Sequence, residues 1–214
     1  MLRYINAYIL YPLLEKLAQR DILPKVKALE SFENLDNEKQ LEVQKQELYK
    51  LLKYCQKSIP YYQVLFKELN FDIEQIKNDI DYLQKLPIMT KQTVRDNLHS
   101  LRIATAIHPR KTGGSTGQSA WFFYDNTGLD WTSAINLYAY ESTGKKRHHI
   151  DCHFSSEIGL KPLFFKDKAK NFLKLTSLNR KVLMISSFSN IKMAHAHNTL
   201  RSFNPYLIQG HPST

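Results

Sequence analysis

After Leu101 the chain alternates short β-prone runs with helical ones, and this alternation constrains the fold more than any other feature of its 214 residues. Ile103 to Ile107 and Ala120 to Tyr124 read as strands joined by a glycine-rich loop. Asp130 to Ser142 reads as a helix, Ile150 to Phe154 as a strand and Pro162 to Leu175 as a helix. Val182 to Ser186 then gives a strand, Ile191 to Phe203 a helix and Tyr206 to Ile208 a strand. Strands separated by helices of this length pair through crossovers, which bring each strand back parallel to its neighbour. The expectation is an α/β layer, a mainly parallel sheet with flanking helices.

The first hundred residues have a different texture. Leu41, Leu48, Leu51, Leu52 and Cys55 recur at helical spacings in a polar stretch, which predicts an amphipathic helix stopped near Ser58-Ile59-Pro60. A short helix restarts at Pro60 and runs through Phe66 and Leu69, another spans Ile73 to Leu83, and Thr90 is a plausible N-cap for a helix to Leu98. No repeat, low-complexity tract or flexible linker divides the chain. The expectation is therefore one domain over 1–214, with a helical region, 1–100, packed on an α/β region, 101–214. The alternation breaks off after the last strand, so this domain is expected to be incomplete and to leave an exposed sheet edge through which copies could associate.

Thirty Lys plus Arg oppose 20 Asp plus Glu, and 43% of residues are hydrophobic, a balance that excludes a disordered chain. From Glu141 onward 12 basic residues face 4 acidic ones. Lys145-Lys146-Arg147 and Lys166, Lys168, Lys170 and Lys174 suit an anionic partner, or simply form a solvated basic face. Cys55 and Cys152 lie in no metal or redox spacing, which points to a reducing, cytoplasmic location. No apolar run is long enough to span a bilayer. Leu2, Ile5, Ile9, Leu13 and Leu17 fall on one helical face; core packing is the expectation for them, and peripheral membrane contact the alternative.

Three of the seven glycines, Gly113, Gly114 and Gly117, lie within five residues of one another. In Lys111-Thr112-Gly113-Gly114-Ser115-Thr116-Gly117, glycines permit positive φ and close backbone approach, while hydroxyls and successive N–H groups can converge on an anion. The spacing is neither a Walker A loop nor a dinucleotide fingerprint. On composition, a plain hairpin loop remains the alternative to a phosphate loop.

Lys111 to Gly117 resembles the phosphate loop of adenylate-forming enzymes, the superfamily that includes the acyl-CoA synthetases. Further segments agree in order and spacing: Ile59-Pro60-Tyr61-Tyr62, Leu86-Pro87-Ile88-Met89-Thr90-Lys91 with Val94-Arg95-Asp96-Asn97, Asn179-Arg180-Lys181, and Tyr206 to Ser213. Together they resemble the phenylacetate–CoA ligase-like family, specifically its CapK-type members of capsular polysaccharide biosynthesis. The resemblance implies part of an adenylate-forming N-terminal domain and ATP-dependent activation of a carboxylate. In that reaction the acid attacks the α-phosphate, pyrophosphate leaves, and the acyl-adenylate passes to a thiol or another nucleophile. It further implies that Thr112, Gly113, Gly114, Ser115, Thr116 and Gly117 embrace the β- and γ-phosphates of ATP with Mg²⁺, and that the partners are a small-molecule carboxylate and a nucleotide. Lys111 would add charge.

Two departures qualify the likeness. Ser119-Ala120 stands where many relatives place a proline, and family members are about twice as long. The adenine motif, the ribose-binding Asp and the catalytic Lys have no counterpart here, so the chain reads as an N-terminal half, no catalytic residue is assigned, and no ATP–pyrophosphate exchange is expected of it alone.

Other clusters carry less. His148, His149, Cys152 and His153 invite a zinc reading, but on a strand they divide between two faces, and no metal site is assigned. His195 and His197 point apart on a helix. Ser186-Ser187 lacks a nucleophile elbow, Asp151 and Asp167 are expected in structural or surface roles, and Trp121 to Tyr124 as a core-packed strand. The alternative functions are a truncated, non-catalytic remnant or interaction protein and, with least support, a basic nucleic-acid-binding module, for which no recognition motif is present.

Overall fold

A computed structural model describes residues 1–112, 119–156, 165–185 and 190–210. In chain order the elements are α1 (Leu2–Ile5), a π-helical turn (Asn6–Leu10), α2 (Tyr11–Leu17), α3 (Ile22–Glu33), α4 (Asn37–Ser58), α5 (Pro60–Glu68), two 3₁₀ segments (Ile73–Lys77 and Ile80–Lys85), α6 (Lys91–Asp96), α7 (Leu98–Leu101), β1 (His108–Lys111), β2 (Trp121–Tyr124), α8 (Asn126–Ser142), β3 (Asp151–Ser156), α9 (Phe165–Ser177), β4 (Arg180–Ile185), α10 (Asn190–Phe203) and β5 (Leu207–Gln209). They fall into two compact units, the first of Met1–Val26 with Ala134–Thr214 and the second of Lys27–Ser133.

In the second unit α4 starts where Asp36 accepts the Lys39 N–H at 2.9 Å. It buries Leu52 and Cys55, which join Phe66, Phe71, Ile73 and Ile76 in one apolar cluster; Leu41 and Leu51, counted on the same face in the sequence, are exposed. The helix expected over Ile73 to Leu83 is instead the two 3₁₀ segments. Asp72 and Asp79 each accept the N–H two residues on, at 3.1 and 2.9 Å, and these local bonds restart the chain in tight turns. Thr90 caps α6 as expected, with its hydroxyl accepting the Thr93 N–H at 3.1 Å. The helix breaks at Asn97, whose amide donates to the Thr93 carbonyl.

Glu74 ties this unit together at the surface. Its carboxylate meets the ammonium groups of Lys53 and Lys77, each at 2.7 Å, and accepts the Tyr49 hydroxyl at 3.0 Å. The hydrogen bond from Lys53, followed by those from Lys77 and Tyr49, lowers its pKa from 4.5 to about 2. Because the folded value lies below the unfolded one, the contribution is complete above pH 4.5 and is lost as pH falls towards 2. A carboxyl-detected NMR titration is expected to place the Glu74 midpoint near 2; a midpoint above 4 would mean that the bridge does not form in solution.

The first unit holds a parallel sheet in the order β4-β3-β5. Asp151 faces Arg180 and Leu207 across the ladders, with β3 in the middle. Cys152, Leu183 and Ala196 form its core with Phe154 and Leu200 packed on them. Burial raises the pKa of Cys152, as it does that of Cys55 in the other unit, so both thiols are held in their unreactive form. The alternation read from the sequence is thus recovered as a mixed α/β fold with a parallel sheet.

Two expectations fail in this unit. Leu2, Ile5, Ile9, Leu13 and Leu17 are exposed and not packed in a core; Asn6, Ala7 and Glu15 turn inward in their place. Of the three cations Lys145-Lys146-Arg147, two are already spoken for. Lys145 is buried against Asp151 at 3.3 Å, and Arg147 donates to Glu141 at 2.7 Å. Asp151 is accordingly structural.

Candidate functional site

In the second unit an antiparallel pair of strands flanks the glycine-rich segment in sequence. β1 and β2 align His108 with Tyr124, Pro109 with Phe123, Arg110 with Phe122 and Lys111 with Trp121. The first strand lies later than expected: residues 103–107 form a turn, closed by the Ala106 N–H on the Ile103 carbonyl at 3.1 Å, and Arg102 donates through Nε to the Ala106 carbonyl at 3.2 Å. Turn-forming contacts of this arginine override the β propensity of Ile103 and Ile107.

Thr112 closes the neck of the loop. Its N–H donates to the Ala120 carbonyl at 3.0 Å, and its hydroxyl accepts the Ala120 N–H at 2.9 Å. The ladder is thereby extended by one pair beyond the strands. Of the residues implied as phosphate-binding, Thr112 is the one described; Gly113, Gly114, Ser115, Thr116 and Gly117 lie outside the described residues, as do Ser186 and Ser187. Replacing Thr112 by valine keeps the shape and deletes the acceptor. It is expected to cost about 1 kcal/mol in denaturant unfolding, and an unchanged stability would show that the neck bond is not made.

The neck is positively charged. Arg110 and Lys111 are exposed on β1, and no acidic residue occurs among residues 108–112 or 119–124. The Lys111 ammonium lies 5.8 Å from the Trp121 ring centre, and the Arg102 guanidinium 4.2 Å from that of Phe123. Arg110 belongs to the site although the glycine motif does not include it; its signal in the sequence is its place three residues before Gly113.

Beside β2 lies an apolar cavity of about 300 Å³, lined by Trp121 to Asp125 and by Leu98, Leu101 and Ile103 among others. Trp121 and Phe122 are more exposed than a core-packed strand predicts, because β2 has a single neighbour among the described residues and one side of it opens on this cavity. At its far end Asp125 accepts the Gly128 N–H at 2.7 Å, which fixes the turn from β2 into α8.

The histidines do other work. His148 stacks on Tyr4 at 4.0 Å and meets the Tyr8 hydroxyl at 3.3 Å; His149 stacks on Tyr206 at 4.4 Å and accepts the Lys146 N–H at 3.1 Å. Desolvation, then the charges of His149, Lys145 and Lys146, push the pKa of His148 down. Cys152 is buried, and His195 and His197 are exposed on α10. Among the described residues no three His, Cys, Asp or Glu side chains gather as metal ligands, and no helix is long and apolar enough to cross a membrane.

No family model matches the chain, and no curated protein matches its sequence. Among solved structures it is similar to 2-hydroxyisobutyryl-CoA ligase in an open conformation in complex with 2-HIB-AMP and CoA, with 17% identity and a TM-score of 0.53 over 79% of this chain and 37% of that one. It is similar also to the same ligase in the postadenylation state in complex with R3-HIB-AMP, with 16% identity and a TM-score of 0.53 over 79% and 36%. The chain spans little more than a third of the length of these ligases. At this identity the likeness is one of fold: the chain has a mixed α/β fold similar to part of these ligases.

Proposed function

We propose that the chain is the N-terminal part of an ATP-dependent adenylate-forming ligase, with Thr112 to Gly117 as its phosphate loop. The observation that carries this reading is the glycine cluster at the end of a hairpin closed by Thr112, in a chain with the fold of such a ligase. The outlying segments favour a phenylacetate–CoA ligase-like, CapK-type member, with a role in capsular or surface polysaccharide biosynthesis and a cytoplasmic location. In this reading residues 1–214 are one incomplete domain.

The chemistry asks for positioning and charge neutralisation. Backbone N–H groups of Gly113 to Gly117 and the hydroxyls of Ser115 and Thr116 bind the β- and γ-phosphates, while Arg110 and Lys111 supply positive charge at the neck. The Thr112–Ala120 pairing holds the two ends of the loop together, so that less order must be gained on binding. The neck offers hydroxyls and no carboxylate, a donor set that fits Mg²⁺ carried in on the phosphates with much of its water retained. Such an ion offsets the charge of the triphosphate as pyrophosphate leaves.

Equilibrium dialysis with labelled ATP and Mg²⁺ tests the reading. Tripolyphosphate is expected to displace ATP and adenosine to leave it bound. No ATP binding, or displacement by adenosine alone, would overturn it.

A further inference from the structure

The N-terminal helix of the first unit is inverted relative to an ordinary surface helix. Its polar side faces the protein: the Asn6 amide donates to the Asn179 side-chain oxygen at 3.0 Å, the Asn179 amide donates to the Arg3 carbonyl at 2.9 Å, and Tyr4 lies on His148. Its apolar side faces out, with Leu2, Ile5, Ile9, Leu13 and Leu17 between 43% and 72% exposed. The spacings are three, four, four and four residues; four-residue steps drift around a regular helix, and the wider winding of the π turn at Asn6–Leu10 reduces that drift between Ile5 and Ile9. Sixteen residues of helix hold that stripe about 24 Å long, flanked by the half-exposed rings of Tyr4 and Tyr8.

The charge of the molecule lies in the same unit. Its residues include 16 Lys plus Arg against 6 Asp plus Glu, whereas the second unit has 14 of each. α9 packs against the π turn and α2 and presents Lys168 and Lys170 beside exposed Phe172 and Leu173. Lys16 is exposed next to Leu17, at the margin of the stripe. Desolvation, and after it the neighbouring cations Arg20, Arg180 and Lys170, push the pKa of Lys174 down.

We infer that this face is a docking surface for an anionic lipid bilayer, on which the N-terminal helix lies flat. Apolar side chains in a row with cations beside them match the two layers of such a surface: acyl chains below, and acidic headgroups at the level of the lysine tips. Two copies meeting through this face would oppose like charges, and nucleic acid offers nothing to the leucines. The inference does not depend on the ligase reading.

Co-sedimentation of the full chain with vesicles tests it. Binding to phosphatidylcholine vesicles containing roughly 30% phosphatidylserine is expected, with weak binding to phosphatidylcholine alone. The double variant I9S/L13S is expected to bind about tenfold more weakly or worse, and K168Q/K170Q about tenfold more weakly. All four positions are exposed, so thermal unfolding of both variants should match the parent, and ATP binding should be unchanged. No binding to the acidic vesicles, or full affinity in I9S/L13S, would overturn the inference. So would a parent chain that sediments as a dimer and becomes monomeric in I9S/L13S, because a second copy would then be the occupant.

Discussion

Replacing Asp151 by alanine is expected to destabilise the chain by roughly 3–5 kcal/mol and to lower its thermal midpoint by on the order of 10 °C. Asp151 is 1% exposed at the start of the central strand. Arg180 on the next strand grips it twice, through Nε at 2.5 Å and Nη2 at 3.1 Å, and the buried Lys145 ammonium lies 3.3 Å away. Burial alone would depress the pKa of Arg180, but the hydrogen bonds and charge of Asp151 outweigh it and raise the value. Truncation strands the buried Lys145 ammonium and the part-buried Arg180 guanidinium, which keep no other carboxylate partner among the described residues. Asparagine at this position keeps the volume but not the charge and should recover a minor part, whereas adding R180M to D151A should recover more by removing one stranded cation. Calorimetry that gave D151A a loss below 1 kcal/mol would show that the cluster opens to water.

The alternation of strands and helices in residues 120–209 was legible because β-prone runs and longer helical patterns are separated by polar or turn residues. β3, α9, β4, α10 and β5 all fall within a few residues of where the sequence puts them. Ile73 to Leu83 misled because apolar spacing does not distinguish an α-helix from successive 3₁₀ turns; the deciding atoms are the carboxylates of Asp72 and Asp79. The N-terminal stripe misled differently. Its helical period is real, but period says which residues share a face and not whether that face points in. Asn6 and Asn179, 173 positions apart, make that choice. At the candidate site, the hydroxyl bond of Thr112 to Ala120 needed the strand register, which no local pattern supplies.

The second large effect is expected at the loop. Gly113 and Gly114 are adjacent in the proposed phosphate loop, and glycine admits backbone angles that β-branched residues avoid. The double variant G113V/G114V removes that freedom and crowds the approach of a phosphate. Each charge-assisted hydrogen bond lost weakens binding by about tenfold or more, so ATP affinity in the presence of Mg²⁺ should fall ten- to a hundredfold by this reasoning. A parent-like affinity in the variant would place the nucleotide elsewhere on the molecule.

Where the triphosphate sits is the question on which the account turns. The basic first unit could attract polyanions without any site, so affinity by itself does not separate a phosphate loop from a charged surface. Amide NMR of the full chain during titration with ATP and Mg²⁺ does separate them. Saturable shifts are expected at Lys111 to Gly117 and at Ser119 and Ala120 across the neck, reproduced by tripolyphosphate. Shifts confined to the α9 lysines Lys168 and Lys170, or growing without saturation, would contradict that expectation.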